Sequence, residues 1–182
     1  MKGIVFTEFL EMLEEQHSME LVDEVLEGVE LASGGVFTSV GTYAPAEMVA
    51  LVVAAAGRIG QTPAELLRRF GHHLFASFRR QFPVFFVDAT SALEFLPLVQ
   101  SYVHLEVQKL YPDAELPTFE VIEQAPGTLT LVYRSGRNLP DLAQGLIEAA
   151  IQHFGDPVEL ERAACPEDPA GTVFRLVPAQ AA

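Results

Sequence analysis

His104 is a candidate metal ligand in this sequence. It lies in the stretch 98–107, where apolar residues recur at the spacing of a helix with one buried face. A neutral imidazole on such a helix is a common metal ligand. A half-buried helical histidine that simply packs in the core fits the same pattern, so position 104 alone does not decide between the two.

The second candidate is the segment 133–137, which reads Tyr-Arg-Ser-Gly-Arg. In an extended strand alternate residues share a side, so we expect Tyr133, Ser135 and Arg137 to point together. A guanidinium binds carboxylates through a two-pronged fork, and the two hydroxyls add neutral donors. Taken alone, an ordinary polar strand end also fits this short pattern.

Together the two candidates predict a haem site. The histidine would bind a flat iron macrocycle from one face, and the donor cluster would hold its two propionates at the edge. Such a pocket is large, apolar and aromatic. The chain has 13 Phe and no Trp, and several phenylalanines precede the histidine helix: Phe70, Phe75, Phe78, Phe82, Phe85 and Phe86. Some of these we expect to be core residues only.

The N-terminal half of the chain must position these residues with helices. Periodicity predicts helices over 4–15, after Ser18, and over 46–59 between Pro45 and Gly60. A capping box at Thr62–Glu65 predicts a helix that runs to about Phe82. A second capping box at Ser91–Glu94 predicts a helix to about Leu110 with a bend at Pro97. Residues 31–43, with three glycines, predict loop or short extended structure.

The C-terminal half changes to strands. Residues 119–123 and 128–133 are β-rich runs around a turn signal, and 158–163 and 172–177 predict two more strands after a helix from Asn138 to Phe154. The expected fold class is α+β, with an N-terminal helical lobe and a small antiparallel ββαββ sheet in the C-terminal lobe.

Composition excludes several classes of protein. Eleven basic and 25 acidic residues give a formal net charge of −14, which disfavours binding to nucleic acid or anionic membranes. The only cysteine, Cys165, excludes an intramolecular disulfide or a cysteine cluster. No signal-peptide core is present and the longest apolar run, 48–57, is too short to span a bilayer. We therefore expect a soluble, cytoplasmic protein.

Motifs along the chain resemble the haem nitric oxide/oxygen binding (H-NOX) family, which includes the sensory domain of soluble guanylate cyclase. They are Met1-Lys2-Gly3 with Ile4-Val5-Phe6, His104 followed by Leu110-Tyr111-Pro112, Leu116-Pro117, Tyr133-x-Ser135-x-Arg137, and Gly145-Leu146. The resemblance covers essentially the whole chain. It implies one haem domain over 1–182, with a distal helical lobe over about 1–65, a proximal lobe over about 66–182, and the haem between them.

The resemblance implies a role for each matching residue. His104 is similar to the proximal iron ligand, and Tyr133, Ser135 and Arg137 are similar to the propionate clamp. Pro117 is similar to the residue that presses on the macrocycle and distorts it. Residues on the distal side would be Val5, Phe9, Phe78, Leu142 and Leu146. The implied cofactor is haem b, ferrous when active. Relatives with a zinc site carry further ligands after the position of Cys165; residues 166–173 supply none, so no structural zinc is expected.

Gas selectivity follows from the distal side. Oxygen-binding members carry a tyrosine on the helix after the clamp, where this chain has Leu142. Bound dioxygen is strongly polarised and needs a hydrogen-bond donor, whereas bound NO is nearly neutral. The resemblance therefore implies binding of NO, with CO weaker and O2 disfavoured, unless Thr7, Tyr43 or another histidine supplies a donor.

The implied function is an NO sensor without an activity of its own. NO would weaken the bond between iron and His104, release the histidine helix and rotate the lobes. The signal would pass to a separate protein, a histidine kinase of a two-component system or a cyclic-di-GMP enzyme. Two alternatives stay open: a haem enzyme of the peroxidase or NO dioxygenase type, which needs a distal acid and base, and a cofactor-free interaction module, which would be colourless.

Overall fold

The N-terminal part of the fold is helical. The computed structural model describes residues 1–179, with Leu110 described by its backbone alone. The first helices are α1 (Gly3–Gln16), α2 (Met19–Glu27), α3 (Pro45–Ile59) and α4 (Pro63–Gln81). Ser18 caps α2 by accepting a hydrogen bond from the amide of Leu21 at 3.3 Å, and Gly60 ends α3 in the left-handed conformation with φ of 70°. These predicted helices are confirmed.

The region that carries His104 differs from the single bent helix that the sequence predicts. A 3₁₀ turn (Pro83–Phe86) leads to α5 (Ala92–Leu98), a π-helical segment (Val99–Val103) and α6 (His104–Leu110). The amide of His104 donates to the carbonyl of Val99, five residues back, and the Ser101 hydroxyl donates to the carbonyl of Pro97 at 3.1 Å. Pro97 has no N–H, and the wider π turn follows directly after it.

Only half of the capping box predicted before α5 forms. The Ser91 hydroxyl accepts from the amide of Glu94 at 3.2 Å, as expected. The Glu94 carboxylate, however, accepts from the amide of Thr90 at 2.9 Å and not from that of Ser91. The helix start is therefore capped from two neighbouring positions.

The C-terminal part is the predicted ββαββ unit. The strands are β1 (Thr118–Ala125), β2 (Thr128–Arg134), β3 (Val158–Ala164) and β4 (Thr172–Pro178), and α7 (Pro140–Phe154) lies between β2 and β3. Within residues 1–179 they form one antiparallel sheet in the order β1-β2-β4-β3. Phe119 stands opposite Tyr133 in this sheet. The fold class is α+β, as predicted.

Two apolar clusters form the core, and helices α4 and α7 contribute to both. On α4, Phe70 and Leu74 belong to the N-terminal cluster, and Phe75 belongs to the cluster that covers the sheet. On α7, Leu142 packs against the first cluster and Ile147 lies in the second. The division of the chain into lobes near residue 65 stays a prediction. Among residues 1–179 no helix is long and apolar enough to cross a membrane.

The two shared helices cross at a pair of glycines. A β-carbon on Gly71 of α4 would stand 2.7 Å from the Cα of Gly145, and one on Gly145 of α7 would overlap the carbonyl oxygen of Arg68. Backbone therefore packs directly on backbone at this crossing. Any larger residue must push the helices apart, because the obstructing atoms are main-chain atoms.

Candidate functional site

His104 is half-buried at the first position of α6, directly after the π segment. In the described part of the chain neither of its ring nitrogens forms a hydrogen bond, and Nδ1 is buried without a partner. Burial lowers the pKa of His104 to about 4. The imidazole is therefore neutral at pH 7, which is the form that binds a metal.

Two residues that sequence analysis did not single out, Gln100 and Phe119, pack and hydrogen-bond near His104. The ring of Phe119 on β1 lies 6.2 Å from the imidazole, centre to centre. The backbone amide of Phe119 donates to the side-chain oxygen of Gln100 at 3.0 Å, which ties β1 to the π segment. Gln100 lies one helical turn before His104, and this spacing is the only sequence signal for its role.

The expected extended alternation of Tyr133, Ser135 and Arg137 is wrong. Strand β2 ends at Arg134, and the amide of Asn138 donates to the carbonyl of Ser135 at 3.1 Å, which closes a turn. The reason is local: the Ser135 hydroxyl accepts from the amide of Arg137 at 3.2 Å, a serine turn that competes with the extended chain. Tyr133 and Arg137 are thus presented by a strand and a turn.

Tyr133 and Arg137 nevertheless remain close to each other. The ring of Tyr133 is buried, 5.4 Å from that of Phe119. The half-buried guanidinium of Arg137 donates to the carbonyl of Glu115, a residue of the α6–β1 loop. Burial lowers the pKa of Arg137, against the opposite effects of the Glu115 carboxylate and the Tyr133 hydroxyl. Ser135 is half-buried beside them.

The residues expected on the distal side gather in the N-terminal cluster. Phe9 is fully buried there and its ring lies 5.2 Å from that of Phe70, edge to face. The others pack around this cluster, partly buried: Val5, Phe78, Leu142 and Leu146. Pro117 is half-buried immediately before β1, in the loop that also supplies the carbonyl of Glu115. The structure places these residues, and their roles stay predictions.

The phenylalanines before the histidine helix divide into three groups. Phe70 belongs to the N-terminal cluster, and Phe75 and Phe86 belong to the cluster over the sheet. The rest form a row of rings that reaches the π segment: Phe78 to Phe82 at 6.1 Å, Phe82 to Phe85 at 6.0 Å, and Phe85 to Tyr102 at 5.8 Å. This row joins α4 to the helix of His104.

The other candidate donors are engaged elsewhere. The Thr7 hydroxyl donates to the carbonyl of Ile4 at 3.1 Å, and the Tyr43 hydroxyl accepts from the amide of Thr38 at 2.8 Å. His72 lies 3.2 Å from the carboxylate of Glu148, and His73 lies 3.4 Å from that of Glu8. Cys165 is buried in the β3–β4 loop.

The unsatisfied polar atoms test whether the site fits haem. Among residues 1–179 four buried side-chain atoms have no hydrogen-bond partner: Glu8 Oε2, His73 Nε2, His104 Nδ1 and Arg137 Nε. The first two face each other, whereas His104 and Arg137 are the predicted iron ligand and a propionate donor. Buried groups of this kind are costly unless a partner completes them. A neutral imidazole, a half-buried guanidinium and an apolar lining fit a haem.

The family of the chain is established by sequence comparison. The family model described as Haem-NO-binding matches residues 2–162. The chain belongs to this family, the H-NOX family, whose members are haem-based gas sensors. No curated protein gave a significant match.

Solved structures of similar fold cover nearly all of the chain. An unliganded Fe(II) H-NOX protein from K. algicida is 34% identical, with a TM-score of 0.91 over 100% of this chain and 98% of that one. The IWP-051-bound H-NOX from Shewanella woodyi in the Fe(II)CO state is 32% identical, with a TM-score of 0.82 over 98% and 95%. An H-NOX protein from S. oneidensis in the Fe(II)NO state is 25% identical, with a TM-score of 0.87 over 97% and 98%.

Proposed function

We propose that this chain binds haem b through His104 and senses NO. The observation that carries the proposal is the state of His104: half-buried, without a hydrogen bond among the described residues, and neutral because burial lowers its pKa to about 4. A buried neutral imidazole offers its lone pair to a metal without first losing a proton. Bound haem would supply an iron whose second face takes a diatomic gas.

Three donors would hold the acidic edge of the cofactor. Arg137 has a buried Nε without a partner, and its Nη2 is anchored on the carbonyl of Glu115, so the guanidinium is held in place. The hydroxyls of Tyr133 and Ser135 would add two neutral hydrogen bonds. A carboxylate bound in this way gains charge-assisted hydrogen bonds in a partly buried setting, where they are strongest.

An apolar distal side would favour NO over dioxygen. Leu142 and Leu146 present hydrocarbon, and the hydroxyl of Thr7 already donates its hydrogen to the carbonyl of Ile4. A polarised dioxygen would find no donor among these residues. NO and, more weakly, CO need none.

His104 is also the point at which the signal would leave the site. With His104 released from the cofactor, α6 would be free to move with the loop that contains Pro117. The moving lobe would present a changed surface to a separate histidine kinase or cyclic-di-GMP enzyme. The protein would act as a regulator and not as a catalyst.

Absorption spectroscopy tests the proposal. The purified chain is loaded with hemin, reduced under argon, and recorded before and after exposure to NO, CO and air. We expect a haem spectrum with a histidine ligand, a change with NO and CO, and no stable complex in air. A protein that stays colourless after treatment with hemin would contradict the assignment of haem as the cofactor. A stable ferrous complex in air would contradict the proposed selectivity for NO over dioxygen.

A further inference from the structure

Lys2 joins two parts of the molecule that are far apart in sequence. Its backbone belongs to the N-terminal helical part, where Lys2 pairs with Thr42 in an isolated antiparallel bridge. The neighbouring amide of Gly3 donates to the carbonyl of Gly41 at 2.8 Å, and the amide of Tyr43 donates to the carbonyl of Met1 at 2.9 Å. The start of the chain is therefore fixed to residues 41–43.

The side chain of Lys2 reaches away from this anchor to the segment after the histidine helix. Its Nζ lies 3.2 Å from Oδ1 of Asp113 and 4.7 Å from the centre of the Tyr111 ring. Thr42 completes the contact, because its hydroxyl accepts from Lys2 at 3.0 Å and donates to Asp113 at 3.2 Å. We call these three residues, Lys2, Thr42 and Asp113, the latch.

Lys2 forms its ion pair with Asp113 from a largely covered position. The Lys2 side chain is only 13% exposed, against 64% for Asp113. Asp113 is the one acidic partner of this ammonium among the described residues, and the hydrogen bond from Lys2 lowers the pKa of the Asp113 carboxyl. Loss of either charge would therefore leave the other group without its ion-pair partner.

Asp113 is coupled to His104 through the backbone. Helix α6 begins at His104, and its hydrogen bonding continues into the next residues: the amide of Tyr111 donates to the carbonyl of Val107 at 2.8 Å, and that of Ala114 to the carbonyl of Tyr111 at 2.9 Å. Asp113 lies inside this last turn. A displacement of α6 must therefore carry Asp113 with it.

We propose that Lys2 is a positioning residue for His104: through the latch it holds the segment after α6 against the N-terminal helical part, and opening the latch is part of the movement of α6. A contact that is present in only one of two states biases the equilibrium toward that state. The movement of His104 rests on the proposed function, whereas the latch itself needs no cofactor.

The test compares variants that remove the latch with one that removes a similar ion pair elsewhere. Lys2→Met keeps an unbranched apolar stem and deletes the ammonium, and Asp113→Asn deletes the charge of the partner. The double variant with Lys2→Asp and Asp113→Lys reverses both charges at the same combined length. The matched control is Lys109→Met, which removes a 2.6 Å ion pair with Glu106 inside α6 itself.

Two readouts are measured on the haem-loaded ferrous protein. Hydrogen exchange at the amides of Tyr111 and Ala114 reports how often the segment after α6 opens. The rate at which the histidine-bound spectrum is lost after addition of NO reports how easily His104 moves. We expect Lys2→Met and Asp113→Asn each to raise both rates by about 3-fold, the size of effect that one partly exposed ion pair produces.

The outcomes separate the latch from general stability and from the proposed function. The charge reversal should restore both rates, and Lys109→Met should leave both unchanged. Equal effects of Lys2→Met and Lys109→Met, or exchange that rises equally throughout residues 3–59, would overturn the latch. If the chain takes up no hemin the proposed function fails, and exchange at Tyr111 and Ala114 in the same cofactor-free chain still decides the latch.

Discussion

The imidazole of His104 lies 6.2 Å from the ring of Phe119, the residue that stands opposite Tyr133 in the sheet. One aromatic side chain thus separates the expected iron ligand from the expected propionate donor. The amide of Phe119 is in turn held by Gln100, one turn before His104. Gln100, Phe119 and Tyr133 therefore set the position of the histidine relative to the sheet.

Removal of the imidazole should remove the cofactor. We expect His104→Ala to lower haem affinity by more than about 100-fold, because loss of a residue that merely supports a metal ligand already costs 10–100-fold. Haem retention after gel filtration and the ferrous spectrum measure this. Added imidazole should restore a ligand-bound spectrum, and a variant that behaves like the wild type would exclude His104 as the ligand.

The clamp is tested by two arginines of the same segment. Arg137→Ala should weaken haem binding by about 10–100-fold, the value of one hydrogen bond to a charged group. Arg134→Ala is the control, because Arg134 is paired with Glu120 at 2.6 Å and with Asp168 at 2.9 Å. Hemin titration gives both affinities. If both variants lose haem equally, the assignment of Arg137 to the clamp is wrong.

Gas selectivity should change with one hydroxyl on α7. Leu142→Tyr introduces a donor on the side chain expected to face bound gas, and Leu142→Phe introduces the same ring without the hydroxyl. We expect only the tyrosine variant to give a distinct ferrous spectrum in air. The comparison is made under argon and air with the same preparation, and an identical response of the two variants would show that the hydroxyl is not what matters.

The crossing of α4 and α7 makes a prediction about stability. Gly145→Ala should lower the free energy of unfolding by about 1–3 kcal/mol, because its methyl group would overlap the backbone of Arg68. Gly57→Ala is the control, since a β-carbon at that helical position of α3 meets no atom within 4 Å. It should raise stability by up to about 1 kcal/mol through helix propensity. Urea unfolding measures both, and a neutral Gly145→Ala would argue against the tight crossing.

The fold was predictable where local hydrogen bonding decides it. Ser18 and Thr62 cap the helices that their positions indicate, and Gly60 ends α3 where predicted. The strands on either side of Gly127 were predictable because β-rich composition and the turn between them are local signals. The π segment before His104 was not predictable, because α- and π-helical hydrogen bonds use the same residues and differ by one position in the acceptor.

By itself the sequence determined the candidate residues: a histidine on a helix, a Tyr-x-Ser-x-Arg segment and an apolar set around Phe9 and Leu142. Only the tertiary structure decided that Phe119 and Gln100 surround His104, and that Lys2 reaches Asp113. The reason is physical. Periodicity and capping depend on residues within one or two turns of each other, whereas these contacts join side chains that only the packing of the whole chain brings together.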